Sequence, residues 1–62
     1  DRVIGDIGIV TEDIDEFNNG EVKVDGKTWT ATSKETLKVG TKVKIVSING
    51  VKLNVKSIKE DD

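Results

Sequence analysis

Apolar and polar residues alternate through much of this chain with a period of two. That period belongs to half-buried β-strands, because successive side chains on a strand point to opposite faces. The clearest case is residues 20–32, GEVKVDGKTWTAT, where two alternating runs flank Asp25-Gly26. Val22 and Val24 share one face, with Glu21 and Lys23 on the other; Trp29 and Ala31 share a face, with Thr28, Thr30 and Thr32 opposite. Asp-Gly accepts the positive φ angles of a type I′ turn, whose twist matches that of the flanking strands. The stretch therefore predicts a hairpin with one apolar face.

The same pattern predicts three further strands. Residues 6–14 (DIGIVTEDI) read as the first, with Ile7 and Ile9 on one face; Val10 breaks that parity, so a bulge or bend is expected near Gly8. A polar connection, residues 15–19, follows, and its single apolar side chain, Phe17, is expected to fold over a barrel end as a lid; left exposed, it would be a contact residue. Residues 33–40 have room for one helical turn at most, despite capping-box spacing between Thr32 and Glu35, and are not assigned as a helix. Residues 41–48 predict the fourth strand, with Val43 and Ile45 inward, Lys42 and Lys44 outward, and a second phase slip before Val46 and Ile48. Asn49-Gly50 predicts a two-residue turn. Beyond it Val51, Leu53 and Val55 should face inward, Lys52, Asn54 and Lys56 outward, and Ile58 should close the pattern.

The organisation expected is an entry segment at 1–5, one domain at 6–58 and a charged tail at 59–62. Five short strands leave two unpaired edges unless the sheet closes, so a barrel is the economical solution. OB-like and SH3-like barrels both satisfy the count, and the all-β, five-stranded Greek-key barrel of OB type is the better fit. Its first strand would pair with the central hairpin and its last hairpin would close the far side. The brevity of residues 33–40 counts against it, because many OB folds carry a full helix there.

Composition narrows the chemistry. A chain of 62 residues buries only about 60% of the surface its unfolded form exposes. With no Cys and no His, neither disulfides nor the usual structural zinc sites can staple it, so the core must be aliphatic; Val and Ile supply 16 of the apolar residues. The net charge of −2 lacks the basic excess of a protein built to neutralise phosphates. That charge is unevenly spread: residues 1–31 hold eight acids against three bases, and residues 32–62 four acids against seven lysines. No apolar run is long enough to span a membrane or serve as a signal peptide. The chain starts on Asp1 rather than Met and is expected to be part of a longer protein.

No catalytic, cofactor or metal site is predicted. Glu12, Asp13, Asp15 and Glu16 cluster, but from Asp13 the third calcium-ligand position falls on Phe17 and the twelfth on Val24, so the EF-hand spacing fails. Paired carboxylates here have no nucleophile or histidine beside them. Trp29 alternates in phase with Ala31 and is expected in the core rather than as a stacking platform. Lys42, Lys44, Lys52 and Lys56 form the best patch. Alternating lysines ordinarily blunt exposed strands, and that role competes with contact to an acidic partner, lipid headgroups or nucleic acid. With Phe17, they are the candidate partner contacts.

The spacing of Gly8 near the first bend, Gly20, Val22 and Val24, then Gly26, Trp29 and Ala31, then Gly40 and Val43, then Gly50, Leu53 and Val55, resembles the carboxy-terminal soluble domain of the NfeD family, the stomatin operon partner proteins. That family's pattern runs G-x-V-x-V-x-G-x-x-W-x-A, then G-T-x-V-x-V, then G-x-x-L-x-V; Ile45 replaces the last valine of the middle motif. The resemblance covers nearly the whole chain. It implies an OB-fold domain of a membrane-anchored protein, on the cytoplasmic side, helping to assemble or position a stomatin-, prohibitin- or flotillin-type partner. Longer members resemble a ClpP-type serine protease in a separate domain, and regulation of such a protease is a minor expectation. The alternative from another class is an OB-type module for single-stranded nucleic acid, which would need more exposed aromatic side chains than Trp29 and Phe17 supply.

Overall fold

The structure, a computed structural model, describes residues 4–58. Five strands, β1 (Ile7–Glu12), β2 (Gly20–Val24), β3 (Lys27–Thr32), β4 (Lys42–Asn49) and β5 (Lys52–Ser57), close into a barrel in the order β1-β2-β3-β5-β4. All neighbours are antiparallel except β3 and β5, which run parallel where Thr30, Ala31 and Thr32 meet Lys52, Leu53 and Asn54. This is the five-stranded Greek-key arrangement of OB type, and no helix occurs among the described residues.

The central hairpin forms as its sequence dictates. Val22 pairs with Trp29 and Val24 with Lys27, around a two-residue turn in which Asp25 (φ 54°) and Gly26 (φ 81°) both take positive φ. The last hairpin differs from expectation by one position: Asn49 pairs with Lys52, so the turn residues are Gly50 and Val51 rather than Asn49 and Gly50. Only Gly50 takes positive φ (68°), as a type II′ turn requires of its first central residue. Val51 is therefore spent on the turn and stands 79% exposed, not inward.

The first phase slip also lies elsewhere. In β1 the inward residues are Gly8 and Val10, while Ile7 and Ile9 face outward. Gly8 is not the irregularity: a Cβ there would meet Val24 Cγ2 at 2.7 Å and the Lys23 carbonyl oxygen at 3.1 Å, so the glycine lets β1 press against β2. The bulge comes between Val10 and Glu12, after which Ile14 returns to the core. In β4 the bulge lies between Ile45 and Ser47, leaving Val46 exposed while Ile48 packs against the core. The extra residue in each strand lets it bend, which closure of so small a barrel demands.

Inside are Val10, Val22, Val24, Ala31, Val43, Ile45, Leu53 and Val55 from the strands, with Ile14 and Leu37 from the connections. Leu37 takes the sealing role expected of Phe17. It sits in the β3–β4 connection and exchanges two backbone hydrogen bonds with Ile14, at 2.7 and 2.8 Å. Phe17 is 85% exposed. Trp29 shares the inward face with Ala31, as its phase predicts, and packs against the core while staying partly exposed; its indole Nε1 is covered and has no hydrogen-bond partner. The expected tail, residues 59–62, lies outside the described residues, as do residues 1–3.

Candidate interaction surface

Among the described residues no charged or polar side chain is buried, and the barrel interior is filled with aliphatic groups. No group of three or more Asp or Glu side chains converges there as a metal site would require. What the fold offers a ligand is therefore its outer surface, whose composition follows from strand register.

On the outer face of β1 and its neighbours, isoleucines and lysines alternate across the strands. Ile9 stands between Lys42 of β4 and Lys23 of β2. Two residues along β1, Ile7 (51% exposed) stands beside Lys44, which in turn stands opposite Lys56 of β5. Neighbouring strands lie about 4.8 Å apart, so these side chains share one surface. A shallow groove continues it, lined by Ile4, Gly5, Lys44, Val46 and Lys56, with Ile4 and Val46 exposed. Gly5 donates its N–H to the Ile45 carbonyl at 2.9 Å, which holds it against β4.

Acidic groups border the face. The Glu35 carboxylate reaches a groove shared with Lys44 and Lys56, but it accepts from Ser57 Oγ at 2.8 Å and from the Ser57 N–H at 3.4 Å. Glu16 lines an adjoining groove with Lys34, Val46 and Lys56. Among the described residues, the face lysines make no ion pair; the pair present is Lys38 with Asp13, at 3.8 Å and largely in solvent.

Of the sequence-predicted contacts, Lys42, Lys44 and Lys56 are brought together. Lys52 is not: it pairs with Asn49 beside the Gly50 turn and neighbours Thr30. Phe17 projects from a separate loop, where the Asp15 Oδ1 accepts from the N–H groups of Phe17 (2.8 Å) and Asn18 (2.7 Å). The Phe17 N–H foremost, then the Asn18 side chain, hold the Asp15 carboxyl below its ordinary 3.8. Sequence reasoning missed Ile7, Ile9 and Lys23 as members of the face. The available signal was that Gly8 and Val10, taken together, give β1 an inward parity in which both isoleucines point out.

Comparison with known proteins agrees with this architecture. The family described as the NfeD-like C-terminal, partner-binding domain matches residues 1–56. An uncharacterized protein of Methanocaldococcus jannaschii, MJ0826, is 42% identical over 59 residues; the match covers 95% of this chain but 43% of that relative. The C-terminal domain of the stomatin operon partner protein 1510-C of Pyrococcus horikoshii superposes with a TM-score of 0.87 at 34% identity, covering 95% of this chain and 92% of that one. The soluble domain of a membrane protein implicated in regulation of membrane protease activity, from Corynebacterium glutamicum, gives 0.83 at 29% identity, with coverage of 90% and 92%. The soluble domain of the NfeD protein YuaF of Bacillus subtilis gives 0.84 at 28% identity, with coverage of 92% and 75%. The match over residues 1–56 and the shared barrel show that the chain belongs to the NfeD family, as its C-terminal, partner-binding domain.

Proposed function

We propose that this domain acts within a membrane-anchored parent protein, on the cytoplasmic side, to assemble or position a partner of the stomatin, prohibitin or flotillin type. The observation that carries the reading is the match over residues 1–56 to a partner-binding family. The description of the Pyrococcus relative as a stomatin operon partner supports the class of partner, and that of the Corynebacterium relative as part of a membrane protein supports the setting. A filled interior leaves recognition to surface side chains, and Lys42, Lys44 and Lys56, with the separately placed Phe17 and Lys52, are the contact candidates. Electrostatic contacts of this kind steer encounter and suppress wrong partners more than they add affinity.

The test is cross-linking or pull-down of the full-length parent with its stomatin-type partner, with and without residues 1–62. Deletion is expected to abolish capture. Undiminished capture after deletion would sink the reading, and salt-sensitive binding of a single-stranded oligonucleotide at the lysine face would move the function to nucleic acid.

A further inference from the structure

We infer that the outer face built by Ile7, Ile9, Lys42, Lys44 and Lys56 docks onto an anionic lipid surface. The inference rests on the reading that the parent is membrane-anchored, and goes beyond it by assigning the domain a lipid contact of its own.

Three observations carry it. First, the face pairs exposed aliphatic side chains with lysines, the combination that lets apolar groups enter the headgroup boundary while long cationic side chains reach lipid phosphates. Second, Lys44 and Lys56 stand directly opposite one another, and like charges so placed oppose folding. A ligand that supplies negative charge from outside relieves that repulsion. Third, Ile4 and Gly5 line the same groove as Lys44, Val46 and Lys56, so exposed Ile4 and Val46 extend the aliphatic surface beside the lysines. Tethering also raises the effective concentration of the surface near the bilayer, so weak contacts suffice.

The experiment is an NMR titration of the isotopically labelled 62-residue chain with vesicles of phosphatidylcholine alone and of phosphatidylcholine with 30 mol% phosphatidylglycerol. Signals of Ile4, Ile7, Ile9, Lys44, Val46 and Lys56 are expected to broaden with the phosphatidylglycerol vesicles, and to recover as salt rises. Each lysine near such a surface contributes roughly fivefold in affinity. Lys44→Glu with Lys56→Glu should therefore reduce binding by at least about tenfold. Ile7→Ser with Ile9→Ser should also weaken it, without changing the salt dependence; retained amide dispersion in each variant would show that the barrel still folds. Absence of binding, equal binding to both vesicle types, indifference to both double variants, or broadening centred on residues 13–18 would each overturn the inference. A failed titration beside intact partner capture sinks the lipid contact alone. Vesicle binding beside undiminished capture after deletion sinks the partner reading and leaves the lipid contact standing.

Discussion

Gly20 opens β2 where the chain has just left the polar loop, and it has no room for a side chain. A Cβ there would collide with the carbonyl oxygens of Glu12 and Asp13 and with Ile14 Cγ1 at 2.6 Å. Two of those three neighbours are backbone, so relief requires moving the β1 end rather than turning a rotamer. Gly20→Ala should thus destabilise the domain by about 1–3 kcal/mol, as overpacking does, measurable by urea denaturation. A loss below a few tenths would mean that the β1 end is compliant. Asp15, a few residues earlier, works through hydrogen bonds. Its carboxylate accepts two backbone N–H groups, which holds its folded pKa below the ordinary 3.8. The turn's contribution is present above that ordinary value and lost as pH falls through the lower folded one. The Phe17 and Asn18 amide resonances should move with a midpoint below pH 3.8, and Asp15→Ala should abolish that titration while leaving barrel resonances in place.

At the scale of elements, the β3–β4 connection contributes more than its sequence suggests. Leu37 is 2% exposed and tied to Ile14 by two backbone bonds, so a segment without regular structure supplies one wall of the core. Leu37→Ala should cost about 2–5 kcal/mol, read as a lowered urea midpoint. An unchanged midpoint would show that another side chain seals the interior. This role was hidden because SKETLKVG holds only two large apolar residues, Leu37 and Val39, and no periodicity to show which one is buried. By contrast, the strands, the Asp25-Gly26 turn and the barrel closure were legible, since alternation and Gly positions fix them locally. Parity in β1 was not. In IGIV two inward assignments compete, Ile7 with Ile9 or Gly8 with Val10, and the close approach of β2 to Gly8 selects the second. Phe17 misled for a related reason. Aromatic side chains are buried on average, but Leu37 and Ile14 complete the core and Phe17 is left in solvent.

For the whole molecule, the outer surface is less favourable to folding than it could be. Lys44 faces Lys56 across β4 and β5, and Glu12 faces Glu21 across β1 and β2, so two like-charge pairs stand in a domain whose small core leaves little margin. Opposite-charge pairs at such positions favour the sheet by about 0.2–1 kcal/mol, and like charges oppose it. Lys44→Glu converts one repulsive pair into an attractive one and should raise the thermal midpoint, with the gain shrinking as salt screens the exposed charges. Glu21→Lys should do the same at the other pair. The two variants part at function. Only Lys44 belongs to the isoleucine–lysine face, so Lys44→Glu should stabilise the barrel while weakening what binds there, whereas Glu21→Lys should stabilise it and leave binding intact. Measuring the melting temperature and anionic-vesicle binding of both variants side by side separates a surface kept for recognition from one that is merely solvated. If Lys44→Glu stabilises without any loss of vesicle binding, the lysine ladder does not serve lipid.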